Sequence, residues 1–194
     1  GTLIDGRLAV GQEVEVLPKG LKSRIRGIQS HKKKVEELPP GTRAAVNLAG
    51  VEVGQLARGD VLTTPGWLRP TQAMDVKLRI IPGSPMAVGH NASVIFFIGT
   101  TEVPGRVRLL EADELKPGDT SWAQVRLEKP VVAAKGDFFI IRNSAGTLGG
   151  GEVVEPYARR HRRYQQGVLD RLAVLERGAP EEVALKAVEA SEGS

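Results

Sequence analysis

Residues 74–80 read Met74-Asp75-Val76-Lys77-Leu78-Arg79-Ile80, four apolar side chains alternating with three charged ones. That period of two belongs to a strand with one face on a core and the other in water. Working downstream, further strands are expected at Ala92 to Ile98, Arg106 to Leu110, Ser121 to Leu127, Asp137 to Arg142 and Glu152 to Val154. Pro82-Gly83, Pro104-Gly105, Pro117-Gly118-Asp119 and Gly149-Gly150-Gly151 read as the turns between them. Upstream, shorter strands are expected at Val14 and Val16, at Ile25 to Gln29, and where Ala44, Val46 and Leu48 alternate with Ala45, Asn47 and Ala49. Asp5-Gly6, Gly11-Gln12, Lys19-Gly20, Pro40-Gly41 and Gly59-Asp60 each place a glycine where the chain must reverse, a spacing that suits a small barrel.

The break at Thr63-Thr64-Pro65-Gly66-Trp67 separates the two sets. The expected organisation is mainly β: two consecutive small antiparallel β-barrels at 1–66 and 67–155, followed by a short helical segment at 156–194. Tyr157, Tyr164, Val168, Leu172 and Leu175 fall on one helical face, with Arg159, Arg160, Arg162 and Arg163 around the rest. A helix is expected from there to about Gly178, and a second one from Pro180 with Glu181 and Glu182 in its first turn.

Composition limits the partners. Twenty-seven Lys and Arg against 23 Asp and Glu give a net charge of +4, with positives concentrated at Lys19 to Lys34 and Arg159 to Arg163, where the local potential attracts phosphates. Aromatic content of 4% speaks against base stacking on single strands as the main mode of binding. No apolar run is long enough to span a bilayer, and Gly1 to Val10 does not resemble a secretory signal, so a cytoplasmic protein without membrane contact is expected.

Catalytic constellations are missing from the sequence. Cysteine is absent, which removes thiolate nucleophiles and zinc knuckles together. His31, His90 and His161 lie in separate segments without metal-ligand spacing. No G-x-x-x-x-G-K-[ST] loop occurs, and Gly146 to Gly151 leads into Glu152-Val153-Val154 rather than a helix, so it reads as a tight turn and not a phosphate cradle. Asp113, Glu114 and Asp119 read as a solvated acidic turn. No enzyme activity is expected of this chain.

The order of motifs is more specific than any one of them. Lys116-Pro117-Gly118-Asp119, then Glu128-Lys129-Pro130-Val131, Gly136-Asp137-Phe138-Phe139-Ile140-Ile141-Arg142 and Gly149-Gly150-Gly151 resemble the third domain of elongation factor Tu and its relatives. Gly11-Gln12-Glu13-Val14 to Leu17, Gly41 to Gly50 and Arg58-Gly59-Asp60-Val61-Leu62 resemble the second domain of the same translation GTPases. Within that superfamily, Val46 to Glu52 and Phe96 to Leu110 are similar to bacterial selenocysteine-specific elongation factors. Tyr157 to Ala190 looks like the start of the winged-helix extension that such factors carry and elongation factor Tu does not.

The resemblance implies barrels that hold selenocysteyl-tRNA for delivery to the ribosome at recoded UGA codons. It also implies that GTP and Mg belong to a GTPase domain lying outside this chain, and that the messenger hairpin is read by C-terminal domains also outside it. Arg43 aligns with an arginine of the selenocysteine pocket, where elongation factor Tu has a neutral residue; Gln29 aligns with the terminal-adenosine contact, and His31 and Lys32 lie close by. Lys129, Arg142 and Ser144 align with positions touching the acceptor and T-stem backbone, whereas Pro104 replaces a threonine that the family uses there. A selenol is more acidic than a thiol of pKa about 8.5, so a guanidinium attracts its anion while gaining little from serine. The other reading of Arg43 is a surface arginine paired with Glu36 or Glu37. The resemblance further implies that the first strand of the second domain, with an Asp-Arg pair, is missing, which leaves Thr2-Leu3-Ile4 as mid-strand residues and the first barrel open or distorted with an exposed edge. A different functional class remains open, barrels of an initiation or ribosome-rescue factor used for protein docking.

Overall fold

Val14 and Val16 bury one face of a short strand, and around it the first part of the chain organises. The computed structural model describes residues 1–178 and divides into two units, 1–70 and 71 onward. The first contains β1 (Leu8–Ala9), β2 (Glu13–Leu17), β3 (Leu21–Ser30), β4 (Lys33–Val35), β5 (Glu37–Leu38), β6 (Ala45–Leu48) and β7 (Val61–Thr63), with a 3-10 turn at Val53–Gln55. All pairings are antiparallel. The path β4-β3-β2-β7 carries β6 on β3, and β1 pairs with β5 in a separate ladder, so these pairings do not close a ring. Thr2 bridges Arg43, and the Leu3 N–H donates to the Thr42 carbonyl at 2.9 Å, so the Thr2-Leu3-Ile4 segment lies along Gly41–Ala44. Leu8, Val14, Ile25, Ile28, Leu38 and Ala44 form the core, against which Leu3, Val35, Val46 and Leu62 pack. The glycines at 6, 11, 20, 41 and 59 all have positive φ, the backbone region that costs a side-chain-bearing residue most.

The second unit contains β8 (Pro70–Ile80), β9 (Val88–Gly89), β10 (Ala92–Ile98), β11 (Thr101–Leu109), β12 (Glu114–Leu115), β13 (Thr120–Val132), β14 (Phe138–Asn143), β15 (Gly146–Glu155) and α1 (Gln166–Arg177). Six of its strands close a barrel in the order β10-β11-β13-β8-β15-β14, while β12 and β9 pair outside it. Met74, Val76, Leu78 and Ile80, the apolar phase of the alternating stretch, are completely buried and join Phe96, Val107, Leu109, Val125 and Ile141 inside. Burying each such side chain contributes on the order of 1.5–3 kcal/mol. Phe96 and Phe139 stack at 5.0 Å across the β10–β14 pair.

Two expected turns are strands. Pro104-Gly105 lies inside β11, opposite Ile95 and Val94, and Gly149-Gly150-Gly151 lies inside β15, opposite Ile80, Arg79 and Leu78. The reason is crowding: a Cβ on Gly105 would sit 2.8 Å from the Arg126 carbonyl oxygen, and Cβ atoms on Gly149, Gly150 and Gly151 would overlap the carbonyl oxygens of Arg79, Phe139 and Lys77. These glycines let strands approach where the barrel closes. They face cross-strand carbonyls, so the run provides no phosphate cradle.

The helical reading is also corrected. No helix starts directly after Pro156; residues 157–165 form an irregular strap and α1 begins at Gln166. The strap's backbone is spent on the barrel, the Ala158 N–H on the Ala73 carbonyl at 3.2 Å and the Tyr164 N–H on the Leu110 carbonyl at 2.7 Å, and Tyr164 has φ 55°. The helix does stop at Gly178, a left-handed cap with φ 70°. Its Leu172 is fully buried with Leu110, Trp122 and Val154. The second helix expected at Pro180, and the remainder of the segment read to Ala190, lie outside the described residues.

Candidate functional site

A cleft of about 350 Å³ in the first unit is lined by Gln29, His31, Lys32, Arg43, Ala44 and Ala45. Its geometry begins with a hairpin. Ser30 pairs with Lys33, leaving His31 and Lys32 as a two-residue turn, both with positive φ at 50° and 65°. Such turns favour Asn-Gly, and side chains held here carry backbone strain of order 1 kcal/mol each. Gln29 then pairs with Ala45 on β6, which brings the Arg43 end of that segment alongside the turn.

Ser30, nearly buried, ties the two sides together. Its Oγ donates to the Arg43 carbonyl at 3.0 Å and lies 3.1 Å from His31 Nδ1. A hydroxyl has one proton, and since that proton goes to the carbonyl, Nδ1–H of His31 is the donor to Ser30. His31 Nε2 is therefore the acceptor in the neutral ring. Arg43 is exposed, and among the described residues no carboxylate is ion-paired with it. Glu37, one of its candidate surface partners, pairs with Arg7 at 3.1 Å instead. The cleft thus presents a guanidinium, an ammonium and an imidazole together, with no carboxylate in its lining.

A second cleft of about 260 Å³ lies on the closed barrel, lined by Ser93, Val94, Ile95, Pro104, Gly105, Arg106, Glu128, Asn143 and Ser144. Ser144 lines it directly. Arg142 and Lys129 do not; Arg142 is the cross-strand partner of Ile95, Lys129 follows Glu128 on β13, and both side chains are exposed. Pro104 stands on its wall at the position read as a lost contact.

One group of polar residues escaped the sequence. Asp75, in the outward phase with Lys77 and Arg79, has no solvent exposure: His161 Nε2 lies 2.6 Å from its Oδ2, and Gln124 Nε2 donates to its Oδ1 at 3.0 Å. Gln124 also donates to the Arg159 carbonyl at 2.7 Å and accepts from Arg108 at 3.1 Å. The only sequence signal was a carboxylate in a phase otherwise occupied by Lys77 and Arg79.

Among the described residues no three metal-ligating side chains gather, and no helix is long and apolar enough to cross a membrane. Comparison with known proteins matches residues 1–63 to the family model for elongation factor Tu domain 2 and residues 74–160 to that for the beta-barrel domain of the selenocysteine-specific elongation factor. The chain is 36% identical over 187 residues to the selenocysteine-specific elongation factor of Desulfomicrobium baculatum, an alignment covering 95% of this chain and 29% of that protein. It is 32% identical over 181 residues to elongation factor 1-alpha of Pyrobaculum aerophilum, covering 80% of this chain and 40% of that protein. The chain therefore spans less than half the length of either relative.

Proposed function

We propose, since this chain belongs to the selenocysteine-specific elongation factor family, that its two barrels hold selenocysteyl-tRNA for delivery to the ribosome at recoded UGA codons. The first barrel takes the aminoacyl end and the second the acceptor and T-stem backbone. GTP and Mg bind a domain outside this chain, a messenger hairpin is read by further domains also outside it, and the factor works in the cytoplasm. The chain itself carries out no reaction.

The observation that supports this reading is the gathering of Gln29, His31, Lys32 and Arg43 around one cleft, with the Arg43 guanidinium free of any ion pair among the described residues. In this reading Arg43 faces the selenolate, Gln29 the terminal adenosine, and His31 and Lys32 the neighbouring phosphates, while Lys129, Arg142 and Ser144 hold the RNA backbone on the second barrel. A guanidinium and a selenolate about 4 Å apart interact by roughly 4 kcal/mol at an effective dielectric of about 20, before desolvation. An exposed pair retains about 1 kcal/mol at most. Discrimination against serine therefore depends on the RNA end closing the cleft and excluding water.

The test uses the complete factor. Affinities for selenocysteyl- and seryl-tRNA are measured with and without Arg43→Ala, and their ratio is expected to fall about tenfold, corresponding to roughly 1.4 kcal/mol. An unchanged ratio refutes the role of Arg43.

A further inference from the structure

A single hydroxyl connects the two sides of the first-unit cleft, and the backbone around it shows why. Gln29–Ala45 is the last pair of the β3–β6 ladder at this end, and beyond it β3 keeps its hairpin partner, Ser30 pairing with Lys33. On its far side the Arg43 segment meets the N-terminal residues. The Leu3 N–H donates to the Thr42 carbonyl at 2.9 Å and the Ala44 N–H to the Gly1 carbonyl at 3.0 Å. Thr2 and Arg43 are therefore opposed as a non-hydrogen-bonded antiparallel pair, in which each residue's own N–H and C=O point away from the other. The Arg43 carbonyl faces β3 past the end of the ladder, and the Ser30 side chain takes it, at 3.0 Å.

The same hydroxyl sets the proton of His31. Its one hydrogen is committed to the Arg43 carbonyl, so toward His31 Nδ1, 3.1 Å away, the oxygen offers a lone pair and the ring supplies the N–H. Nδ1 then carries its proton whether the ring is neutral or charged, and only Nε2 changes. A neutral Nε2 accepts from a hydroxyl, and a protonated one donates to a phosphate oxygen. Ser30 is 9% exposed, which gives water little access to replace either bond. Lys32 and Arg43 are the other charged side chains lining the cleft.

We infer that Ser30 is a positioning residue of this cleft, holding the Arg43 backbone and the His31 tautomer through one oxygen, and so setting selectivity for the aminoacyl end without touching it. Its effect on selectivity rests on the proposed contact between Arg43 and the selenolate; its effect on His31 does not. Alanine at position 30 removes both bonds together. The Arg43 carbonyl loses its partner, and the imidazole is free to move its proton to Nε2, the nitrogen otherwise left open to a ligand. Threonine keeps the hydroxyl and suits a strand.

The first test needs no RNA. In the 194-residue chain with isotope-labelled histidine, nitrogen–proton correlation spectra at mildly alkaline pH locate the proton on each neutral ring, and His31→Gln identifies the His31 signals. The parent and Ser30→Thr are expected to carry the His31 proton on Nδ1, and Ser30→Ala to shift it largely to Nε2. The second test uses the complete factor. Ser30→Ala is expected to lower the ratio of selenocysteyl- to seryl-tRNA affinity about threefold, the effect of one lost hydrogen bond, with Ser30→Thr close to the parent. With Arg43→Ala already in place, Ser30→Ala should leave that ratio unchanged, because both act on one contact. The inference is overturned if the parent carries the His31 proton on Nε2, or if Ser30→Ala leaves the tautomer as it was. It is equally overturned if Ser30→Ala weakens both tRNAs alike, as mere loosening of the fold would, or lowers the ratio just as much in the Arg43→Ala background. Should Arg43→Ala itself leave the ratio intact, the selenocysteine reading fails instead, and Ser30 is judged by the His31 spectrum alone.

Discussion

His161 Nε2 lies 2.6 Å from Oδ2 of Asp75, a carboxylate with no solvent exposure on a strand 86 residues earlier in the chain. This pair, with Gln124 on the other oxygen, fastens the strap to the closed barrel. Removing one partner of a buried pair leaves the other uncompensated, a loss of about 3–5 kcal/mol when burial is complete. Because the His161 side chain keeps 10% exposure, the loss for His161→Ala is expected nearer the bottom of that range, about 3 kcal/mol, read by urea unfolding. Asp75→Asn combined with His161→Gln should recover part of it; a double variant as unstable as the sum of the singles would show that the two do not act as a pair.

The barrel should reject side chains on its inner glycine run. Gly151→Ala forces a Cβ onto the Lys77 carbonyl, and the neighbouring backbone must shift to admit it. A loss of roughly 3 kcal/mol is expected in thermal or urea unfolding. Gly83→Ala, with nothing within 4 Å of the added carbon, should change stability by no more than about 0.5 kcal/mol. Equal effects at the two sites would mean that strand approach is not what requires glycine in β15.

The hairpin bearing His31 and Lys32 should exchange stability for function. Replacing both by Asn-Gly relieves two positive-φ positions and is expected to stabilise the chain by about 1 kcal/mol. The same change strips the cleft of an imidazole and an ammonium, so the affinity for aminoacylated tRNA should fall while the melting temperature rises. A variant that is more stable and binds equally well would remove these two residues from the proposed contact.

Acid should loosen the second unit in two steps. Burial, then the nearby Arg163 guanidinium, holds the His90 imidazole below its ordinary pKa of 6.5. The unfolded chain therefore takes up this proton first, and the associated stability is full above about pH 6.5 and falls as pH drops through the lower folded value. Hydrogen bonds from Arg163 and Tyr164 hold the Asp113 carboxyl below 3.8, so its contribution is present above about pH 4 and is lost only in stronger acid. Melting temperature measured against pH should decline in both windows. His90→Gln should flatten the upper decline and Asp113→Asn the lower, and curves parallel to the parent would contradict the assignment.

The alternating stretch at 74–80 was legible because period-two patterning reports a face, and the buried face of β8 carries Met74, Val76, Leu78 and Ile80 as expected. The glycines at 6, 11, 20, 41 and 59 were legible for a local reason, their positive φ. Pro104-Gly105 and Gly149–Gly151 were misread because glycine serves two different needs, a reversed backbone and a close approach, and only the cross-strand neighbours distinguish them. For the clefts, alignment to the family named residues, but their grouping follows from ladder register: Ser30 against Lys33 and Gln29 against Ala45 bring His31, Lys32 and Arg43 to one place.

By itself the sequence determined which side chains share a strand face and where the chain must turn, since both depend on neighbours within a few residues. Only the tertiary structure decided what covers each face. Asp75, Lys77 and Arg79 share one phase of β8, yet Asp75 is sealed under His161 while Arg79 stays in water. The difference arises because the strap spends its backbone and arginine hydrogen bonds on Ala73, Leu109 and Leu110, leaving it no turns for a helix. A periodic pattern records amphipathicity along one segment, whereas burial of a charge depends on a partner brought from far along the chain.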